Sequence, residues 1–385
     1  MIGRKLIIKN GCILTDRGFI YKDMLVVDGK IEGFGTDFES NQAEIVDVAG
    51  KTILPGFIDI HTHGAVGVDM NGCNLESLKK VCEFYASCGT TLFLPTILTD
   101  SKEVLVQCIK TIIEGKEQIH SGAEIYGIHM EGPYLCKEYK GAMPEELLQL
   151  PSVEDFKIYQ EAAKNNIKLM TVSPEVEGVP DFIKEITKTG VRISIGHSGA
   201  DYETAMTCIE NGATGATHTF NVMKLMHQHF PAISGAVLES DVYCEAICDG
   251  KHLVPAIVRL LIKTKGIDRV IGVTDSIMAA GLGDGKYKLG VNDIVVIDGD
   301  AKLTDLTTRA GSTLTTNKAL KNLISFTNRP LEELSKILSK NPADYLGIGH
   351  YKGQLKEGYD ADFVVLDEAY NIVETFVTGK EVYHI

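Results

Sequence analysis

Pro55-Gly56-Phe57-Ile58-Asp59-Ile60-His61-Thr62-His63-Gly64 is the stretch from which the rest of this chain can be read. It is an apolar strand that follows a Pro-Gly turn and ends in two histidines two residues apart. Strand side chains alternate faces with period 2, so His61 and His63 point the same way and can share one metal ion. Imidazole is the commonest protein ligand for zinc and other borderline metals. Two histidines at a strand end can also simply bond to their neighbours, so the decision rests on what the other strands carry.

Further apolar runs follow the same plan. Gly56–His61, Thr90–Pro95, Ile125–Glu131, Ile167–Val172, Arg192–His197, Gly215–His218, Tyr243–Cys248 and Arg269–Thr274 read as strands. Amphipathic helical stretches separate most of them. Leu75, Leu78, Val81, Cys82 and Tyr85 keep helical spacing behind Asn74, a suitable N-cap, and Asp201 opens a helix that ends near Gly212. Repeated strand–helix units over residues 53–346 predict a (β/α)8 TIM-type barrel, an α/β fold. The competing arrangement, a doubly wound open sheet, lacks its fingerprint, because Gly281-Leu282-Gly283-Asp284-Gly285 is not G-x-G-x-x-G. Residues 1–52 and 347–385 are different in kind. Short runs such as Lys5–Ile8, Tyr21–Val27 and Lys30–Phe34 are broken by Asn-Gly and Asp-Gly turns, and the stretch from Gly353 to Asp367 looks alike. They predict one small β-sandwich built from both chain ends.

The polar residues are not scattered over these repeats. His61 and His63 end the first strand, His129 and Glu131 the third, His197 the fifth, His218 the sixth and Asp275 the eighth. Barrel enzymes build their active sites at the C-terminal rim, so residues distant in sequence converge there. Five strands ending in His, Glu or Asp at one rim are hard to explain as polar groups satisfied within a core.

Several motifs are more specific. His129-Met130-Glu131-Gly132-Pro133, Gly196-His197-Ser198, His218-Thr219-Phe220-Asn221-Val222-Met223, Val273-Thr274-Asp275-Ser276, Ala310-Gly311-Ser312 and the segment from Gly353 to Asp362 occur in order along the chain. In kind, order and spacing they resemble the N-acetylglucosamine-6-phosphate deacetylases, a family of the amidohydrolase superfamily, and the match runs nearly end to end.

The resemblance implies roles. Glu131, His197 and His218 would hold the principal divalent metal, with zinc first and iron, manganese or cobalt suited to the same donors. His61 and His63 would hold a second ion bridged through Glu131, giving one or two ions per subunit. Asp275 would be the catalytic base. Asn221, Val222, His229, His252, Ala142, Met143 and Ser312 would contact the amino-sugar substrate. The family's homodimer would complete each site from across the interface, by an arginine that reaches the neighbouring subunit's substrate phosphate. Two positions depart from the pattern. His229 stands where that arginine is expected, and Met143 stands where many members carry a polar residue. Histidine is only partly charged near neutral pH, and a thioether is a weak acceptor.

Composition bounds the alternatives. A formal net charge of -14 argues against nucleic-acid or anionic-membrane partners, though a small anionic substrate needs only local positive groups. The nine cysteines lack a C-x-x-C pair, and the spacing of Cys244 and Cys248 is better read as buried thiols. Reduced thiols, with no signal peptide or transmembrane span in the N-terminal run from Met1, point to the cytoplasm. The expected activity is removal of the N-acetyl group from N-acetylglucosamine-6-phosphate. The alternatives are another amino sugar, such as N-acetylgalactosamine-6-phosphate or an unphosphorylated one, another amide, and a catalytically inactive scaffold.

Overall fold

The computed structural model describes residues 4–39 and 42–385, so Met1–Gly3 of the N-terminal run lie outside it. Eight parallel strands follow one another in chain order: Phe57–Thr62, Thr90–Leu98, Ile128–Glu131, Ile167–Val172, Arg192–Ile195, Gly215–Ala216, Tyr243–Ile247 and Val270–Val273. Thr90–Leu98 and Ile128–Glu131 are buried at every position, as strands enclosed by a ring of helices must be. The helix Leu75–Ser87 starts as its sequence predicts. Asn74 and Ser77 form a reciprocal capping box, and Leu78, Val81, Cys82 and Tyr85 are buried. Asp201 caps Tyr202–Glu210 in the same manner, accepting from the Thr204 amide.

The ring closes in an unusual way. The first and eighth strands share no ladder of their own; they join at their C-terminal tips. Asp275 N donates to the His61 carbonyl at 2.9 Å, and His63 N donates to that of Ser276 at 2.7 Å. Below these bonds, the Thr274 hydroxyl donates to Asp59 at 2.6 Å. Beside them, the Thr62 and Ser276 hydroxyls meet at 2.8 Å and the Tyr85 hydroxyl reaches both.

Three strands differ from expectation. Arg192–Ile195 and Gly215–Ala216 stop before His197 and His218, whose φ angles of 47° and 29° turn the chain out of extended geometry. The run Ile125–Glu131 is split at Tyr126–Gly127. Glu124–Ile125 pairs with Leu92 and Phe93, and Ile128–Glu131 pairs further along the same strand with Thr96, Ile97 and Leu98.

The chain ends build a sheet of eight strands, in which Thr52–Pro55 lies between Lys5–Thr15 and Phe363–Leu366. Lys5–Thr15 carries a bulge between Ile8 and Gly11. Before it the strand pairs with Ala43–Asp47, and after it with Thr52–Pro55. Such a bulge bends the strand, so the sheet folds over a core of its own that includes Leu6, Ile13, Ile53, Phe363 and Phe376. An antiparallel sheet absent from the sequence reading, Gly285–Leu289, Asn292–Ile297 and Asp300–Leu303, follows the eighth barrel strand. Its Leu289, Ile294 and Ala301 pack on Leu98, Leu135 and Met143, which sets it over the C-terminal rim. Among the described residues no helix is long and apolar enough to cross a membrane.

Candidate metal centre and active site

Glu131, His197 and His218 bring ligand atoms within 4.8 Å of one another, and so do His61, His63 and Asp275. All six residues are buried. Glu131 joins the two groups. Its Oε1 lies 3.1 Å from Nε2 of both His197 and His218, and its Oε2 lies 3.2 Å from Nε2 of His63. Asp275 Oδ1 lies 3.2 Å from His63 Nε2 and 3.5 Å from His61 Nε2.

The backbone aims these side chains. His197, His218 and Asp275 follow strand ends with φ of 47°, 29° and 49°, left-handed values uncommon outside glycine. Such strain persists where surrounding structure over-determines it, and it concentrates at functional sites.

Hydrogen bonds then fix the imidazoles. Nδ1 of His63 donates to the Thr96 carbonyl at 3.2 Å, and Nδ1 of His197 to the Tyr139 carbonyl at 3.0 Å. A carbonyl can only accept, so in the neutral ring each Nε2 keeps its lone pair. Those lone pairs face other nitrogens: His197 and His218 Nε2 are 3.1 Å apart, and His61 and His63 Nε2 are 3.2 Å apart. Ring nitrogens converging beside ionised carboxylates fit a cation held among them, and N,O donor sets of this kind suit a divalent metal.

Electrostatics agrees. Burial alone would hold His61 and His63 neutral, yet the carboxylates around them outweigh it. His61 is pushed well above its ordinary value by Glu131, Glu245 and Asp275, and His63 up to about 9 by Asp275 and Glu131. Burial would likewise raise Glu131 and Asp275, but the histidines hold both below the usual carboxylate range. The cluster draws positive charge to itself. His129 behaves differently: burial and the neighbouring His61 keep it well below its ordinary value. It bonds to Thr96 and Thr171 inside the barrel and does not join the ligands.

A cavity of about 280 Å³ opens above this cluster, small-molecule in scale. His63, Glu131, His197, His218, Asp275, Asn221, Val222, His252, Ala142 and Met143 line it, all expected from sequence. His252 is fixed there by Asp249, 2.7 Å from its Nδ1. His61 sits beneath, fully buried. Two expected residues are elsewhere. Ser312 is buried behind the rim, its hydroxyl donating to the Thr274 carbonyl and its amide to that of Asp275 at 2.7 Å, so it buttresses Asp275 without lining the cavity. His229 lies in the exposed turn His227–Phe230 and does not reach its own chain's cavity.

The sequence reading missed Glu245, whose Oε2 accepts from His61 Nδ1 at 2.9 Å. A lone acid in the otherwise apolar run Tyr243–Ile247 was the available signal. It also missed Thr307, Thr308 and Arg309, the cavity-lining residues just before the Ala310-Gly311-Ser312 motif. Gly311 has φ 61°, and a Cβ there would lie 2.9 Å from the Asp275 carbonyl oxygen, so only glycine lets this segment pass so close.

Known proteins resemble this chain in sequence and fold. The amidohydrolase family model matches residues 52–382. An N-acetylglucosamine-6-phosphate deacetylase of Lysinibacillus sphaericus is 33% identical over 377 residues, 97% of each chain. The crystal structure of the Pasteurella multocida N-acetylglucosamine-6-phosphate deacetylase superposes with a TM-score of 0.92 at 30% identity, covering 98% of this chain and 99% of that one. A Mycobacterium smegmatis deacetylase variant in complex with N-acetyl-D-glucosamine-6-phosphate gives 0.91 at 27% identity, covering 99% and 100%.

Proposed function

Because this chain belongs to the amidohydrolase family, and within it to the N-acetylglucosamine-6-phosphate deacetylases, we propose that it hydrolyses N-acetylglucosamine-6-phosphate to glucosamine-6-phosphate and acetate. The observation that carries this reading is the Glu131 carboxylate set between two histidine groups, with Asp275 beside it at the cavity floor.

Glu131, His197 and His218 would hold the principal divalent ion, with zinc the first candidate on its donor set, and His61 and His63 a second. An ion held there would supply Lewis acidity toward the acetamide carbonyl and would make a nearby water more acidic. The protein supplies the proton path. Asp275 is ionised, because the histidines beside it outweigh its burial. It accepts the proton of the attacking water and then delivers it to the departing amine, a role typically worth about 10²–10⁴-fold. Asn221, Val222, His252, Ala142 and Met143 line the space for the sugar, and Ser312 holds Asp275 in place.

A homodimer fits the exposed apolar side chains of Leu225, Met226 and Phe230, which lie close to His229 in the chain. The nine free cysteines favour the reducing cytoplasm. Residues 53–346 form the catalytic unit in this reading, and 1–52 with 347–385 the supporting one, which has its own apolar core.

The test is acetate release by metal-loaded protein from N-acetylglucosamine-6-phosphate and N-acetylglucosamine in parallel. A large kcat/KM preference for the phosphate supports the reading. A preference for the free sugar, or release from neither, refutes it. In that case Met143, buried and apolar at the cavity wall, would mark a different amino sugar.

A further inference from the structure

The charged groups of the cavity are unevenly placed. Glu131, Asp275 and the histidines form its floor, and among the lining residues Arg309 is the one lysine or arginine. Nearby lysines are spoken for. Lys140 Nζ donates to the Met143 carbonyl, and Lys251 Nζ to that of Asp298.

Arg309 sits on a prepared rim. Asp305 accepts the amides of Thr307 and Thr308, which fixes the turn before it. Arg309 itself pairs with Lys302 as an antiparallel bridge. Its Nε and Nη2 donate to the two oxygens of Asp300 at 3.0 and 3.2 Å. A guanidinium has five N–H donors, so three remain without a partner among the described residues. Its charge is not cancelled either, because Lys302 shares the same carboxylate at 3.2 Å. A fork held on one edge and free on the other is suited to an anion with two or more oxygens.

We propose that Arg309 binds the phosphate monoester of the substrate and sets the preference for a phosphorylated sugar, acting from the same chain as the metal ligands. This rests on the deacetylase reading. With the acetamide at the floor, the far end of the sugar lies toward the rim, and Arg309 lines the same cavity as His252 and Asn221. Arg309 is a specificity residue in this account and takes no part in bond breaking.

The experiment compares wild type with Arg309→Met, Arg309→Lys and Asp300→Asn, each in the metal-loaded protein with its melting temperature recorded. The readouts are kcat/KM for N-acetylglucosamine-6-phosphate and for N-acetylglucosamine, and the binding of inorganic phosphate by calorimetry. In Arg309→Met the ratio of the two kcat/KM values should fall by roughly tenfold or more, mainly through KM, as expected for losing a charged hydrogen-bonding partner. Phosphate binding should weaken in parallel, and Arg309→Lys should recover part of both. Asp300→Asn, which removes the salt bridge but keeps the cation, should retain the ratio. The proposal is overturned if both substrates suffer equally in Arg309→Met, or if Asp300→Asn reproduces its effect. A wild type that releases acetate from neither sugar sinks the deacetylase reading alone. Phosphate binding that depends on Arg309 would still stand, and wild type that binds no phosphate overturns the assignment of Arg309.

Discussion

Glu245 accepts the Nδ1 proton of His61 at 2.9 Å, and the same oxygen accepts the His218 amide at 3.1 Å. One buried carboxylate thus fixes the ring of one candidate ligand and the backbone of another. Glu245→Gln should lower the affinity for the ion at His61 and His63 by about 10–100-fold, the usual cost of losing such a partner. Metal titration against a competing chelator measures it. Affinity equal to wild type would show that His61 needs no such support.

Asp275→Asn keeps the shape of the base and removes its proton affinity. Acetate release should fall by about 10²–10⁴-fold in kcat, while Glu131, His197 and His218 still bind an ion. A variant that loses bound metal and activity together would assign Asp275 to metal binding instead.

Glu131→Gln takes charge from both histidine groups at once. Metal content by mass spectrometry should fall below one ion per chain, because the other ligands nearest the principal site, His197 and His218, are neutral donors. Retention of a full complement would mean that Glu131 is dispensable as a ligand.

Metal-free protein should show a distinctive pH dependence. Burial opposes charge on His63, but Asp275 and Glu131 prevail and raise it to about 9 from 6.5. A raised pKa means that the fold holds a proton that the unfolded chain releases. The resulting stability is fully present below about pH 6.5 and is lost as pH rises through about 9. The melting temperature of chelated protein should therefore fall across that window. A bound cation displaces the proton, so metal-loaded protein should melt at a nearly constant temperature there. Parallel curves with and without chelator would contradict this.

Lys352 is 4% exposed and contacts Asp362 at 2.7 Å, Asp360 at 3.0 Å and Glu124 at 3.0 Å, linking the terminal sheet region to the barrel. Lys352→Met would leave Asp362 buried without its cation. Breaking a buried pair in this way costs roughly 3–5 kcal/mol, which a urea titration would detect. A loss under about 1 kcal/mol, the range of exposed pairs, would mean that water already screens the cluster.

Much of this arrangement was legible because the barrel repeats one instruction: an apolar run, then a polar residue. The extent of each strand was less so. His197 and His218 continue their apolar runs in sequence, yet turn away at positive φ because their side chains must point inward across the barrel mouth. Period 2 alone cannot announce that turn. The sheet from Gly285 to Leu303 left a signal in Asp298-Gly299, both at positive φ in a tight hairpin, which the reading passed over. Arg309 and Glu245 carried less. Nothing local tells an arginine on a surface turn that it borders a cavity, and the partner of Glu245 lies on the first barrel strand, far away in sequence.

The joint between the first and eighth strands is made from the reaction centre itself, through Asp275 to His61 and Ser276 to His63. A ring fastened there has no separate clasp. Any fluctuation that parts the two strands also scatters the groups that would do the chemistry, so the amides of this seam should be among the slowest to exchange with solvent. Damage to the seam would surface as lost turnover well before it surfaced as lost fold.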